Sequence, residues 1–348
     1  MNLLDAEAVI ANLTEEIGTR KDYNMKAVLY ETYGAPSVAL QFKEIAKPTP
    51  KDQQVLVKVY AASVNALDWR GFTMPSLLVR FFSGGWLKPK DNTTGRDIAG
   101  VVEAVGKDVT RFKPGDEVFG CAYGSFAEYA LSREGYLTVK PANRSFEEAA
   151  AVPVAALTAL QAIRYAGGIG AGQHVLIQGA SGGVGMYAVQ LAKAFGAEVT
   201  AVCSTRNMKM ARSIGADHVI DYTKENFTKN GTQYDVILAI NGYHSLWKYR
   251  RALKPQGVYV CAGGSLFQFL QVILFGKWLS QKGGRTLGSM GIAKINQDDL
   301  AQLSELLKDG KISPVIDRSY PLSETVDAIR YVIDNHAQGK VIIEVLKG

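Results

Sequence analysis

Gly179-Ala180-Ser181-Gly182-Gly183-Val184-Gly185 constrains this chain more than any other stretch. It follows the apolar run Val175 to Gln178 and opens an amphipathic stretch from Gly185 to Phe195, so the pattern is strand, tight turn, helix. Without β-carbons at Gly182 and Gly183 the backbone can approach a pyrophosphate, whose charge the free amides and dipole of a helix N-terminus stabilise. A lone glycine-rich turn can be purely structural. Between this strand and this helix it reads as a dinucleotide cradle, with Ala180 in place of the first glycine of the GxGxxG fingerprint. Ser181, Gly182, Gly183 and Val184 are its candidate phosphate-facing residues.

A cofactor with an unmodified adenosine ribose is usually gripped by Asp or Glu at the end of the next strand, about 20 residues on. Here that place holds Ser204-Thr205-Arg206-Asn207, with Lys209 close behind. A carboxylate would repel a 2′-phosphate, whereas two hydroxyls, a guanidinium and an ammonium can donate hydrogen bonds to one. Ser204, Thr205, Arg206 and Lys209 therefore point to NADPH over NADH. The plainer alternative is that Arg206 and Lys209 only solvate the start of the next helix.

The rest of the chain arranges itself around this unit. Its 348 residues suggest about two domains. Short apolar segments at Ala27–Tyr30, Val55–Ala62, Ile98–Val105, Glu117–Phe119 and Phe126–Leu131, separated by turn signals such as Lys113-Pro114-Gly115-Asp116, predict a β-rich, barrel-like first domain. The apolar but Gly- and Pro-containing segment between Phe72 and Asn92 predicts a loop that packs on the core or covers a pocket. At Ser145-Phe146-Glu147-Glu148 a capping-box start leads into an Ala-rich helix running to Tyr165. Beyond it, strands at His174–Gln178, Glu198–Cys203, His218–Ile220, Val236–Ile240 and Val258–Cys261 alternate with helices, which predicts a parallel sheet with right-handed crossovers. Helices at Asp298–Lys308 and Ser323–Asn335 and a strand at Lys340–Leu346 close the chain.

Several function classes are disfavoured. The formal charge is +6, yet Lys and Arg form no long basic run, so nucleic acid is not the expected partner. Cys121, Cys203 and Cys261 lie too far apart in sequence for a disulfide framework or clustered metal ligands, which suits a cytoplasmic protein. No apolar run reaches the roughly 18 to 20 residues of a membrane span. The nearest, Leu266 to Leu279 with Lys277 inside it, reads as a buried helix or pocket lid, with a membrane-surface role or a homodimer contact as alternatives. Residues 1–24 carry a net charge of −3 and no signal-peptide core, so they are expected to be an extension, disordered or not, ahead of a compact fold starting near Met25.

Met25-Lys26-Ala27-Val28, Ala62-Ser63-Val64-Asn65, Gly95-Arg96-Asp97-Ile98-Ala99-Gly100-Val101-Val102, Lys113-Pro114-Gly115-Asp116-Glu117-Val118, Ala156-Leu157-Thr158-Ala159 and Gly339-Lys340-Val341 resemble the medium-chain dehydrogenase/reductase superfamily. Within it, the chain is similar to the zinc-independent quinone oxidoreductases related to zeta-crystallin. The resemblance implies an α/β chain with a GroES-like β-barrel domain from residues 25–150 and 296–348 and a Rossmann doubly wound parallel-sheet domain from 151–295, the active cleft between them. It implies a homodimer and hydride transfer from NADPH to a quinone or α,β-unsaturated carbonyl compound. Asn65 stands where the alcohol dehydrogenase branch has a zinc-binding Cys, and Gly95-Arg96-Asp97 where it has Gly-His-Glu, so no catalytic zinc is expected. Asn65, Thr158 and Lys340 would face the cleft near the nicotinamide and pyrophosphate, and Tyr222 the 2′-phosphate. Against these roles stand a local turn for Asn65, a bond within its own helix for Thr158, a packing role for Tyr222 and an exposed strand start for Lys340. Asp68 and Asp97 would bond backbone at the cleft floor. None of the histidines at 174, 218, 244 and 336 sits in a recognisable catalytic setting. An NADP-dependent alcohol or aldehyde dehydrogenase, an NADPH-binding protein with a mainly non-catalytic role, and a reductase of lipid-borne acceptors remain the alternatives.

Overall fold

Two patterns of strand pairing divide the chain. The computed structural model describes residues 24–73, 92–264, 266–281, 284–334 and 337–346. The expected N-terminal extension up to residue 23, nearly all of the segment between Phe72 and Asn92, and His336 lie outside the described residues.

In the first part, β1 (Asn24–Tyr30) and β2 (Leu40–Ala46) pair antiparallel as a two-stranded sheet. After β3 (Gln54–Ser63) comes the helix α1 (Ala66–Thr73), followed by β4 (Asp97–Val105), β5 (Glu117–Cys121), β6 (Tyr129–Arg133) and β7 (Leu137–Val139). The strand expected at Phe126–Leu131 begins later because the Phe126 carbonyl accepts from Val28 N–H and its own N–H donates to Thr94. The segment thus crosses from β1 to β3 before it can pair.

The single helix expected from Ser145 to Tyr165 is two, α2 (Phe146–Ala150) and α3 (Pro153–Tyr165). The capping box forms, with Ser145 Oγ accepting from Glu148 N–H and the Glu148 carboxylate accepting from Ser145 N–H. Pro153 then breaks the run, since it has no N–H and its ring crowds the preceding turn.

β8 (His174–Gln178), α4 (Gly183–Ala194), β9 (Glu198–Cys203), α5 (Met208–Ser213), β10 (His218–Asp221), β11 (Tyr234–Ala239), α6 (Leu246–Ala252), β12 (Leu253–Cys261), α7 (Leu266–Ser280) and β13 (Thr286–Ser289) follow. Their strands are all parallel, in the order β10-β9-β8-β11-β12-β13. The order reverses between β8 and β11, and in such Rossmann sheets the ligand crevice opens at the carboxyl ends of those two strands.

The chain ends with α8 (Gln297–Lys308), β14 (Ile316–Pro321), α9 (Thr325–Ile333) and β15 (Lys340–Glu344). β15 returns to the first part and pairs antiparallel with β3, so the second sheet runs β14-β15-β3-β4-β5-β7, with β6 also on β3. Two register shifts in the β3–β4 ladder bend this sheet into its GroES-like barrel form. One apolar core joins the two parts: Ala61, Ala99 and Phe119 from the barrel pack with Ala155, Ala156, Leu157 and Leu160 of α3 and with Met186 and Val189 of α4. Leu300, Leu303 and Leu307 of α8 belong to the same core.

Candidate active site

The turn after β8 is built for close approach. Gly179 takes a left-handed φ of 82°, and a β-carbon there would lie 2.8 Å from the Asn241 nitrogen at the end of β11. That role falls to Gly179, which is why Ala180 can stand at the fingerprint's first position. A β-carbon on Gly185 would lie 2.1 Å from the Gly179 carbonyl oxygen, so only glycine lets α4 start this close to the strand. The N-cap of α4 is Gly182, with no side chain capping the first turn, and its leading amides remain available to an anion.

The barrel closes this cradle from below. Gly182 and Gly339 form a parallel bridge, and Gly339 N–H donates to the Ser181 carbonyl at 3.1 Å. Lys340 then runs beneath Gly183, whose β-carbon would come within 3.0 Å of Lys340 Cδ. Lys340 is 2% exposed. Its ammonium donates to Asn65 Oδ1 at 2.7 Å, to the Val64 carbonyl at 3.3 Å and to Asp97 Oδ2 at 3.3 Å. Three hydrogens meet three acceptors, so the charge is buried with its donors satisfied.

Asp97 is the hub. Its Oδ2 also accepts from Ser63 Oγ at 2.7 Å and Asn65 Nδ2 at 2.8 Å, while Oδ1 accepts from Val154 N–H at 2.9 Å. Val154 lies in the first turn of α3, so a barrel carboxylate meets the positive end of a helix from the other sheet. Asn65 is therefore not serving a local turn alone: its amide is locked between Lys340 and Asp97, with a further contact to the Ser63 carbonyl at 3.3 Å. Nor does Lys340 sit at an exposed strand start. Asp68, on α1, accepts from Asn65 N–H at 2.6 Å through Oδ2, and its buried Oδ1 has no hydrogen-bond partner. Burial pushes its carboxyl up to about 7, against the pull of the Asn65 N–H and with added repulsion from Asp97. Both aspartates thus bond backbone at the cleft floor.

Two expected side chains are engaged differently. Thr158 donates its hydroxyl hydrogen to the Val154 carbonyl one turn back at 2.7 Å, which leaves only its lone pairs for a ligand. Thr205 donates to Asp221 Oδ2, and this bond, with those from Thr223, holds the Asp221 carboxyl below its usual range. Arg206 and Lys209 are exposed at the end of β9, Ser204 is half-buried, and Tyr222 beyond β10 is 64% exposed. Sequence reasoning missed Asn207. It is buried, donates to Ser181 Oγ at 2.9 Å and Ser204 Oγ at 3.2 Å, and leaves Oδ1 without a partner. Its signal was its place in the stretch from Ser204, where an amide can tie the second strand to the glycine turn.

His174 bonds Thr200, His218 bonds Glu198 and His244 packs on Phe227 and Tyr249, all away from the cluster. Cys121 is buried 4.0 Å from Asp97 Oδ1, and burial pushes its thiol well above the usual range. Arg96 lies over the ring of Tyr123. Among the described residues no three His, Cys, Asp or Glu side chains converge to hold a metal ion.

The family described as alcohol dehydrogenase GroES-like domain matches residues 51–158, and that described as zinc-binding dehydrogenase matches residues 214–343. A 2-methylene-furan-3-one reductase of Solanum lycopersicum is 37% identical over 333 residues, covering 92% of this chain and 79% of the relative. A chloroplast envelope quinone oxidoreductase homolog of Arabidopsis thaliana is 35% identical over 338 residues, covering 92% and 98%. The solved quinone oxidoreductase from Coxiella burnetii superposes with a TM-score of 0.81 at 29% identity, over 93% of this chain and all of that one.

Proposed function

We propose, for a chain that belongs to the quinone oxidoreductase branch of the medium-chain dehydrogenase/reductase superfamily, that it reduces quinones or α,β-unsaturated carbonyl compounds with NADPH and without zinc. The observation that carries this reading is the uncapped turn Gly182–Gly185 seated on the Lys340–Asp97–Asn65 cluster, in the crevice where the sheet order reverses. Bound there, the nicotinamide cofactor would supply a hydride to the electron-poor carbon of the acceptor.

The chain's own residues hold and orient. Ser181, Gly182, Gly183 and Val184 present backbone to the pyrophosphate, and Ser204, Arg206, Lys209 and Tyr222 form the rim for a 2′-phosphate. Thr205 acts from behind by occupying Asp221, so that the charge of this carboxylate is hydrogen-bonded away from the ligand. Lys340 and Asn65 set the floor of the nicotinamide end, with Thr158 beside them on α3. Since Asn65 and Thr158 already donate their hydrogens inward, they position the acceptor and the proton is drawn from water. Catalysis then rests on near-attack placement in a sheltered cleft.

The residues present do not fit zinc. Where the metal-dependent branch places a thiolate and an imidazole, this chain offers an amide turned to Lys340 and a guanidinium stacked on Tyr123. The reading divides the chain into residues 25–150 with 296–348 and residues 151–295, carries over from the family a homodimer, and takes a reducing cytoplasm from the three widely separated cysteines. Oxidation of NADPH by metal-stripped protein against quinones, enones and simple ketones, with NADH in parallel, tests it. Turnover confined to quinones or enones with NADPH preferred is the expected result. Turnover of simple ketones only after zinc is restored, or tight NADPH binding with no turnover at all, would overturn it.

A further inference from the structure

The helix α7 is apolar on both sides, and among the described residues only one side is covered. Val272 and Leu279 are buried in the core under the parallel sheet, and Gly276 lies so close to β13 that a β-carbon would meet the Leu287 carbonyl oxygen at 2.7 Å. The other side shows Phe267, Leu270, Ile273, Leu274 and Trp278, with Ile273 60% and Leu274 68% exposed. The helix α6 extends this face: the Trp247 ring lies 5.7 Å from that of Phe275 and 6.4 Å from that of Trp278. Tyr243 joins at the other end, 5.7 Å from Phe267 and accepting from Gln271 Nε2. A contiguous apolar surface of this kind marks an interaction site.

Charge identifies the occupant. From Val236 to Gln297 the sequence holds eight Lys and Arg and no Asp or Glu, leaving −2 for the rest of a chain whose formal charge is +6, and of the eight Lys254 is paired with Asp235 just ahead of the segment. Lys248 lies on α6 and Lys277 on α7, and Arg250 reaches the Leu279 carbonyl at the end of α7. A second copy would bring a second set of the same cations and no carboxylate from this segment, because a two-fold interface pairs a patch with itself. An anionic lipid surface supplies the missing negative charge and the apolar phase together. No helix among the described residues is long and apolar enough to cross a membrane, so α7 would lie in the plane of the interface, with Trp247 and Trp278 at the headgroup level. We infer that the α6–α7 face docks this protein on anionic bilayers.

Co-sedimentation of the full chain with phosphatidylcholine vesicles, with and without phosphatidylserine, tests this at low and physiological salt. The expected result is binding about tenfold tighter to the anionic vesicles, weakening as salt rises. Ile273→Ser combined with Leu274→Gln should weaken that binding about tenfold without moving the thermal midpoint, and Lys277→Glu should reduce the preference for phosphatidylserine. Should the double variant fail to fold, the lipid and salt dependence of the unaltered protein decides alone. No binding to anionic vesicles at low salt, or equal binding with and without phosphatidylserine, overturns the inference. So does a lipid-free dimer that the double variant splits, which would assign the face to a second copy.

Discussion

The two ends of the proposed cofactor cleft are built on opposite plans. At the inner end Lys340 and Asp97 are 2% and 0% exposed and bonded on all sides by residues from β3 and the loop after it, β4, α3 and β15. At the outer end Arg206, Lys209 and Tyr222 stand in solvent beyond β9 and β10. A buried charge network has high dielectric stakes: complete, it fixes one geometry, and short of one partner it strands a charge. Exposed cations act through a screened field and cost little to change. The inner end should therefore control folding and turnover together, and the outer end only the choice of cofactor.

The largest effect should come from the hub. Asp97→Ala removes the acceptor of Lys340, Asn65, Ser63 and Val154 at once, and should cost about 3–5 kcal/mol of stability, read from chemical denaturation. Lys340→Met keeps the alkyl stem under Gly183 and removes the charge; it should destabilise by a similar amount and depress turnover. If Lys340→Met left both stability and turnover unchanged, the contrast between the two ends would fail.

A finer break of the inner end uses Asp68. Its carboxyl is raised from 3.8 to about 7, chiefly by burial. The folded protein then keeps a proton that the unfolded chain gives up near pH 4, so over that window the native state binds more protons. Stability from this group is present below about pH 4 and is lost as the pH rises through about 7. Asp68→Asn keeps an acceptor for the Asn65 N–H and cannot ionise. Its thermal midpoint should fall less than that of the unaltered protein between about pH 5 and about pH 8, and parallel slopes would show that Asp68 does not titrate there.

How much of this was legible follows the same division. The turn at Gly179–Gly185 and the strands β8, β9, β11 and β12 announce themselves because their signals are local: apolar runs, then glycine, then helical periodicity. Asn65 and Lys340 meet across 275 residues of sequence, and no spacing rule joins them; only the family resemblance placed both at one cleft. The capture of Thr205 by Asp221 and the burial of Asn207 were hidden for the same reason, since each depends on two strand ends lying side by side. β13 and β14 escaped notice because a four-residue strand with Gly288, and one that ends on Pro321 at a sheet edge, carry little apolar alternation.

At the outer end, Arg206→Glu should raise the KM for NADPH about tenfold or more while leaving that for NADH nearly unchanged, because it replaces a donor to the 2′-phosphate with a repelling charge. Equal effects on both cofactors would remove Arg206 from the site.

Lys209→Ala should do least. Lys209 is exposed at the start of α5, so its pull on a phosphate passes through water and is worth less than about 1 kcal/mol. The KM for NADPH should rise only about threefold at low salt, and the difference should vanish at high salt as the screening length falls to a few ångströms. Stability should not change, in contrast to the buried cation at Lys340. A loss that persisted at high salt would mean that Lys209 makes a direct, desolvated contact with the phosphate, and the outer end would then be as closely built as the inner one.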